Sequence, residues 1–147
     1  MRAIILFFSV VLGWNAPASA QMFADIRECD AIYGSPVSPT GKTSDVRFYK
    51  QNGLSIKILF VEEKAAVITF TSLTSLKLPD ELQLKLLNGS AGSNNWEEVE
   101  GEGAKTWSRS DGQAFAIYDN LSGELNVFST DYIEKAKSEV HSAINQQ

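Results

Sequence analysis

Two periods of apolar residues alternate along this chain, and the points where one replaces the other predict its elements. After a largely apolar run at residues 3–12, interrupted by Ser9, the first periodic segment is 23–33, where Met22, Ile26, Cys29 and Tyr33 form one helical stripe. Gly34 ends it, and residues 34–44, with Pro36, Pro39 and Gly41, read as a loop. The period then shortens to two. Val46–Lys50 runs into Asn52-Gly53, a turn pair that tolerates positive φ at both central positions and so signals a hairpin. In Ser55–Val61 the residues Ile56, Ile58 and Phe60 share a face, and Glu62-Glu63-Lys64 turns the chain into Ala66–Thr71. That is an antiparallel meander with one apolar face to be covered.

Pro79-Asp80-Glu81 opens the segment 82–87, and Asn88-Gly89 closes it. Proline and acids in front with glycine behind predict a helix, against the strand-like alternation of Leu82, Leu84 and Leu86; we take the helix. Residues 88–104 read as a polar, glycine-rich connection carrying Trp96. The period of two returns in Lys105–Arg109, Gln113–Tyr118 and Glu124–Ser129, separated by turns at Asp111-Gly112 and Asn120–Gly123. Asp131 and Glu134 have the spacing of a capping box for a last helix, 131–144, with the apolar stripe Ile133, Ala136, Val140 and Ile144.

The pattern is α+β: two three-stranded antiparallel β-meanders covered by helices, with a C-terminal helix. The segments 22–71 and 79–129 read as αβββ half-repeats within a single domain, 21–147. An aromatic (Tyr49, Trp107) precedes each turn, an isoleucine (Ile58, Ile117) follows each turn glycine by five residues, and a valine (Val67, Val127) by fourteen or fifteen. The first half combines a helix ending in Tyr33-Gly34, Tyr49 before Asn52-Gly53, and Ile58-Leu59-Phe60-Val61-Glu62-Glu63-Lys64. On these motifs, residues 23–70 resemble the small exported modules of the β-lactamase-inhibitor-protein and outer-membrane-assembly-lipoprotein group, with a fainter echo at 80–129. The resemblance implies helices laid on an antiparallel sheet and a function in binding other proteins. The chain departs from that group in its one helix per half, its lack of a lipobox and its lack of a cysteine pair in either half. No binding residue is carried over.

The front of the chain adds the compartment. Arg2, the apolar run and the small residues Ala18-Ser19-Ala20 are the three parts of a secretory leader. The run is too short for a membrane-spanning helix, so residues 1–20 are expected to be removed and the protein to be periplasmic or extracellular. Loss of Arg2 moves the formal net charge from −5 to about −6. An acidic domain releases no counterions from phosphates, which speaks against nucleic acid and favours a basic protein partner. Cys29 is the only cysteine, so the chain holds no internal disulfide; the expectation is a half-buried thiol in a monomer, or a dimer through Cys29.

Catalytic chemistry finds little support. The single histidine, His141, lies at the edge of the last stripe, and pairing it with Cys29 would require the first and last helices to touch. No Gly-x-Ser-x-Gly elbow occurs, and one Cys with one His cannot make a zinc site without two carboxylates. Gly41-Lys42-Thr43 imitates a phosphate loop, but Pro36 stands where that loop needs a glycine. Neither cofactor nor metal is expected. The densest feature is Trp96 with Glu97, Glu98, Glu100 and Glu102, a solvated acidic loop, a docking patch for a basic protein or, less well matched, a calcium loop. These five are the candidate binding residues, with the turns 51–54 and 110–113 beside them. The expected function is non-catalytic protein binding by an exported protein. The alternatives are a small-ligand carrier with a pocket between sheet and helices, and a small carboxylate-dependent hydrolase. Intact-mass analysis of the protein recovered from an exporting bacterium should find Gln21 at the N-terminus; an unprocessed Met1 would overturn the export reading.

Overall fold

The computed structural model describes residues 22–37, 45–100 and 103–144. The leader, Gln21, residues 38–44 and Glu102 lie outside the described residues. The elements are α1 (Ile26–Tyr33), β1 (Val46–Gln51), β2 (Leu54–Val61), β3 (Lys64–Ser72), α2 (Asp80–Ser90), β4 (Trp96–Val99), β5 (Lys105–Arg109), β6 (Ala114–Asp119), β7 (Glu124–Ser129) and α3 (Thr130–Ile144). The seven strands make one antiparallel sheet in the order β1-β2-β3-β7-β6-β5-β4, so the fold is α+β and the two meanders join through β3 and β7. The second meander has a fourth strand. Residues 96–99, expected in a connection, pair with β5 from Trp96 opposite Arg109 to Val99 opposite Thr106. A segment of glutamates between one Trp and one Val has no strand period of its own, and the pairing supplies what the pattern lacks.

Local chemistry moves several boundaries. α1 starts at Ile26 because Asp25 caps it: Asp25 Oδ1 accepts from the Glu28 N–H at 2.9 Å, and Glu28 Oε2 accepts from the Asp25 N–H at 2.7 Å. Phe23 and Ala24 instead pair with the start of β3, Phe23 N–H donating to Ala65 O at 3.0 Å and Ala65 N–H to Ala24 O at 2.9 Å. α2 runs past Asn88-Gly89 to Ser90, and its buried face is Gln83, Leu86, Leu87 and Ser90, a helical spacing that leaves Leu84 exposed. α3 is capped by Ser129, whose Oγ accepts from the Tyr132 N–H at 3.2 Å, whereas Glu134 pairs with Lys137. The expected α3 stripe is not buried: Val140 and Ile144 are 61% and 65% exposed, and only Thr130, Tyr132, Ile133 and Ala136 reach half-burial. The helix meets the sheet with its first turns alone.

Both α1 and α2 lie on the same face of the sheet. Asp30 of α1 accepts from Arg47 and from the Tyr49 hydroxyl, and the Gln51 amide donates to Ile32 O. Before α2, Leu78 N–H donates to the Tyr118 hydroxyl, and Asp80 pairs with Lys105 at 2.8 Å. Beneath them Tyr49, Ile56, Ile58, Ile68, Phe70, Ala116, Leu125 and Val127 are essentially sealed from water. The repeat spacing does not translate into equivalent faces. Tyr49 and Trp107 both point to the covered side, but Ile58 is buried there while Ile117 is half-buried on the other face, and Val67 and Val127 are likewise opposed. Gly53 directly precedes β2, whereas Gln113 stands between Gly112 and β6, so residues counted five on from each glycine fall on opposite faces.

Gly123 sets the β6–β7 turn: φ is +71°, and a Cβ there would overlap the Leu76 carbonyl oxygen. Gly112 has a similar φ, +69°, with open space around it. Gly112→Ala should therefore cost about 1 kcal/mol and Gly123→Ala about 3 kcal/mol, because only the second adds a clash to the left-handed strain. Urea denaturation of the two variants checks the difference.

Candidate functional site

The predicted acidic segment forms an edge. In β4 the covered face takes Trp96 and Glu98, and the opposite face takes Glu97 and Val99. Glu97, Glu98 and Glu100 are exposed, while Trp96 is half-buried against the core with its indole nitrogen sealed. Trp96 is thus an anchor into its own protein. Asn95 ties this edge to the 110–113 turn, its carbonyl accepting from Ser110 N–H at 2.8 Å and its N–H donating to Ser110 Oγ at 3.1 Å. The 51–54 turn is not brought to it: that turn lies at the other end of the sheet, on the opposite edge strands.

The face away from α1 and α2 carries residues that sequence reasoning passed over. One cross-strand row runs Val46–Leu59–Val67–Phe128–Phe115–Ser108–Glu97. Phe115 and Phe128 stack with centroids 5.1 Å apart. The next row adds Phe48 and Ile117 around a 2.7 Å hydrogen bond from Thr69 Oγ1 to Asn126 Oδ1. These apolar side chains are half-buried. Charge is divided across the face, with Lys50 and Lys57 on β1 and β2 and Glu97, Asp119 and Glu124 on β4, β6 and β7. A solvated sheet face normally alternates to polar residues. The signal was in the sequence, since Phe48, Leu59, Val67, Phe115, Ile117 and Phe128 all occupy the positions between core residues.

A cleft of about 510 Å³ opens between α3 and the β2–β3 hairpin. Val61, Ala65, Ala66, Phe23 and Tyr132 give it apolar surface, and Glu62, Lys64, Asp131, Lys135 and Glu139 give it charge. Glu62 and Glu63 form the two-residue hairpin turn with φ of 52° and 64°, where Asn52-Gly53 makes the equivalent turn with residues suited to it. Cys29 and His141 stay apart from any common site: the thiol is 0% exposed beneath α1, and His141 is on the exposed distal part of α3. Burial first, then the neighbouring Asp30, pushes the thiol pKa up to about 12. The half-buried thiol is thus corrected to a sealed one, and an interchain disulfide would require α1 to leave the sheet. Among the described residues no three His, Cys, Asp or Glu side chains converge on a metal-sized site, and no helix is long and apolar enough to cross a membrane.

Through Phe23, which lines the cleft, the two halves are clamped. Arg109, 6% exposed, donates to both oxygens of Asp111 at 2.8 and 2.7 Å, and its guanidinium lies 5.3 Å from the Phe23 ring centroid. The Arg109 hydrogen bonds hold the Asp111 carboxyl below its usual range, helped by Gln113 N–H and opposed by partial burial.

Fold and site together define a one-sided α+β sheet protein with an open apolar face. No family model and no curated protein matches the chain. Among solved structures it is similar to a DUF4309 family protein (YjgB) of Bacillus subtilis, at 14% identity and a TM-score of 0.40, over 73% of this chain and 79% of that one. It is also similar to a cysteine-rich secretory protein of Staphylococcus aureus, at 14% identity and a TM-score of 0.41, over 79% of this chain and 50% of that one. Similarity at this level carries no argument about the site.

Because its folded pKa is depressed, Asp111 stabilises the fold above its unfolded pKa and loses that effect as pH falls through the folded value. Asp111→Asn should cost about 2 kcal/mol at pH 7, by weakening the ion pair on a buried arginine. The gap between variant and native urea midpoints should narrow below about pH 4. A gap that is constant with pH would show that the carboxylate charge is not what matters.

Proposed function

We propose that this chain is an exported, non-catalytic binding protein whose partner is another protein, docked on the open face of the sheet. The observation that carries the reading is the apolar row from Val46 to Phe115, uncovered by either α1 or α2 and ending at Glu97 on the acidic edge. Seven strands at about 4.8 Å spacing span about 30 Å, so the face is of the order of the ~800 Å² that one partner contributes to a stable interface. Stacked aromatics in such a row supply a desolvated centre, and the charged side chains at its two sides supply a polar rim. The rim also sets orientation. A partner lies with basic groups toward Glu97, Asp119 and Glu124 and acidic groups toward Lys50 and Lys57. Of the candidate residues, Glu97 contacts the partner directly, Glu98 and Glu100 line the edge, and Trp96 holds that edge in place.

The cleft under α3 favours a second reading, a carrier of a small ligand with both apolar and charged parts. A pull-down from envelope extract separates the two. The chain from Gln21 onward should retain a partner protein, Phe128→Glu should lose at least 10-fold of the binding, and Lys135→Ala at the cleft should leave it unchanged. Equal recovery with the native chain and Phe128→Glu would sink the open-face reading. Loss with Lys135→Ala alone would move the site to the cleft.

A further inference from the structure

Three buried polar atoms in the second half of the core, Trp96 Nε1, Trp107 Nε1 and Gln83 Oε1, hydrogen-bond to no other group among the described residues. Burial of such groups without partners is rare in folded proteins, and each instance calls for a physical cause. Gln83 is 1% exposed and Trp107 3%. The Gln83 amide is oriented by its nitrogen, which donates to Leu78 O at 2.7 Å and reaches Asp80 Oδ1 at 3.4 Å, so its oxygen is the end left over.

The topology places the three on neighbouring elements, β4, β5 and the start of α2. Trp96 pairs across the strands with Arg109 and Trp107 with Glu98, so the two indoles are diagonal neighbours on the covered face of β4 and β5. Diagonal neighbours are about 7–8 Å apart along their backbones, within reach of two indole rings. Above them, the Asp80–Lys105 pair fixes the start of α2 two residues before Trp107 on β5. Gln83 follows Asp80 by about 4.5 Å along the helix axis, against about 6.8 Å from Lys105 to Trp107 along the strand. It lies on the buried face of α2 with Leu86 and Leu87, over the row in which Trp107 faces the small Ala116.

We propose that a single water molecule is a fixed part of this core, accepting from both indole N–H groups and donating to Gln83 Oε1. The donor set selects the ligand. Two N–H donors repel a cation, the amide oxygen repels an anion, and an apolar molecule would leave all three atoms unpaired. Water accepts twice and donates, which is the usual coordination of a buried structural water. It ties the edge strand β4 to β5 and α2 through three side chains, and so fixes the strand that carries Glu97 and Glu98.

The test is solution NMR on the chain from Gln21 onward. Both indole Nε1–H protons should show cross peaks to water with the sign of a long-lived bound molecule. Their absence in the native protein, or rapid exchange at either indole, overturns the assignment. Gln83→Met, close in shape but without the acceptor, should shorten the residence of the water, and its cross peaks should shrink or vanish; unchanged peaks would also overturn it. Trp107→Phe makes the same test from the donor side should Gln83→Met fail to fold, with loss of the water cross peak at Trp96 as the expected result.

Discussion

The pairing of β3 with β7 is the constraint on which the rest of this structure depends. It sets Val67–Thr71 against Glu124–Phe128 and turns two meanders into one sheet. Ile68, Phe70, Leu125 and Val127 in these two strands are each 0% exposed. With the meanders joined here, strand order on the two sides of the junction is reversed, β1-β2-β3 against β7-β6-β5, so the two halves are related across it. That relation puts the β1–β2 turn and the β5–β6 turn at opposite ends. It also gives both helices the same face to cover, and leaves the other face of a seven-stranded sheet to solvent or to a partner.

Much of the architecture was legible because it is written in local pattern. Ile56, Ile58 and Phe60 declared a strand face, and Asn52-Gly53 has the positive φ values its residues suggest. The α2 helix was legible from its terminal residues even though Leu82, Leu84 and Leu86 mimic a strand. What local pattern could not supply is what long-range pairing decides. β4 exists because β5 offers an edge, and Phe23–Ala24 leave the helix because the start of β3 accepts them. The α3 stripe shows the converse: Ile133, Ala136, Val140 and Ile144 have helical spacing, but spacing says nothing of whether a surface waits beneath it. The candidate site was half legible. Glu97, Glu98 and Glu100 are exposed, whereas Trp96 faces inward because the pleat of a strand no pattern announced sends it there.

Burial decides which chemically capable groups remain available. Cys29 is sealed beneath α1 with its thiol held protonated, which removes the strongest nucleophile in the chain from reaction with other molecules. Arg109 is buried too, but with Asp111 and the Phe23 ring around it, so its charge fastens the N-terminal segment to the second meander. The two sites work oppositely on the first residues of the fold: one packs α1 down through apolar contact, the other holds Phe23 through charge.

The open face then has to be weighed against the ordinary solvation of antiparallel sheets. A face meant only for water has no reason to place phenylalanine at 48, 115 and 128 and aliphatics at 59, 67 and 117, since threonine or lysine would keep the strands equally extended and more soluble. The polar residues that do occur there are organised: Thr69 and Asn126 are bonded to each other across the junction, and the charges are sorted by sign to opposite sides. Sorted charge around an apolar centre is the arrangement that orients a partner, whereas mixed charge is the arrangement that merely keeps a surface soluble. The sheet edge carries the same asymmetry. Val37 N–H donates to Phe48 O along β1, while β4 presents Glu97 and Glu98, with Glu100 just beyond its end. Charge on an edge strand discourages indiscriminate strand addition. In the function proposed above, the acidic edge and the apolar face act together, the first excluding unwanted sheets and the second admitting a partner of matching charge.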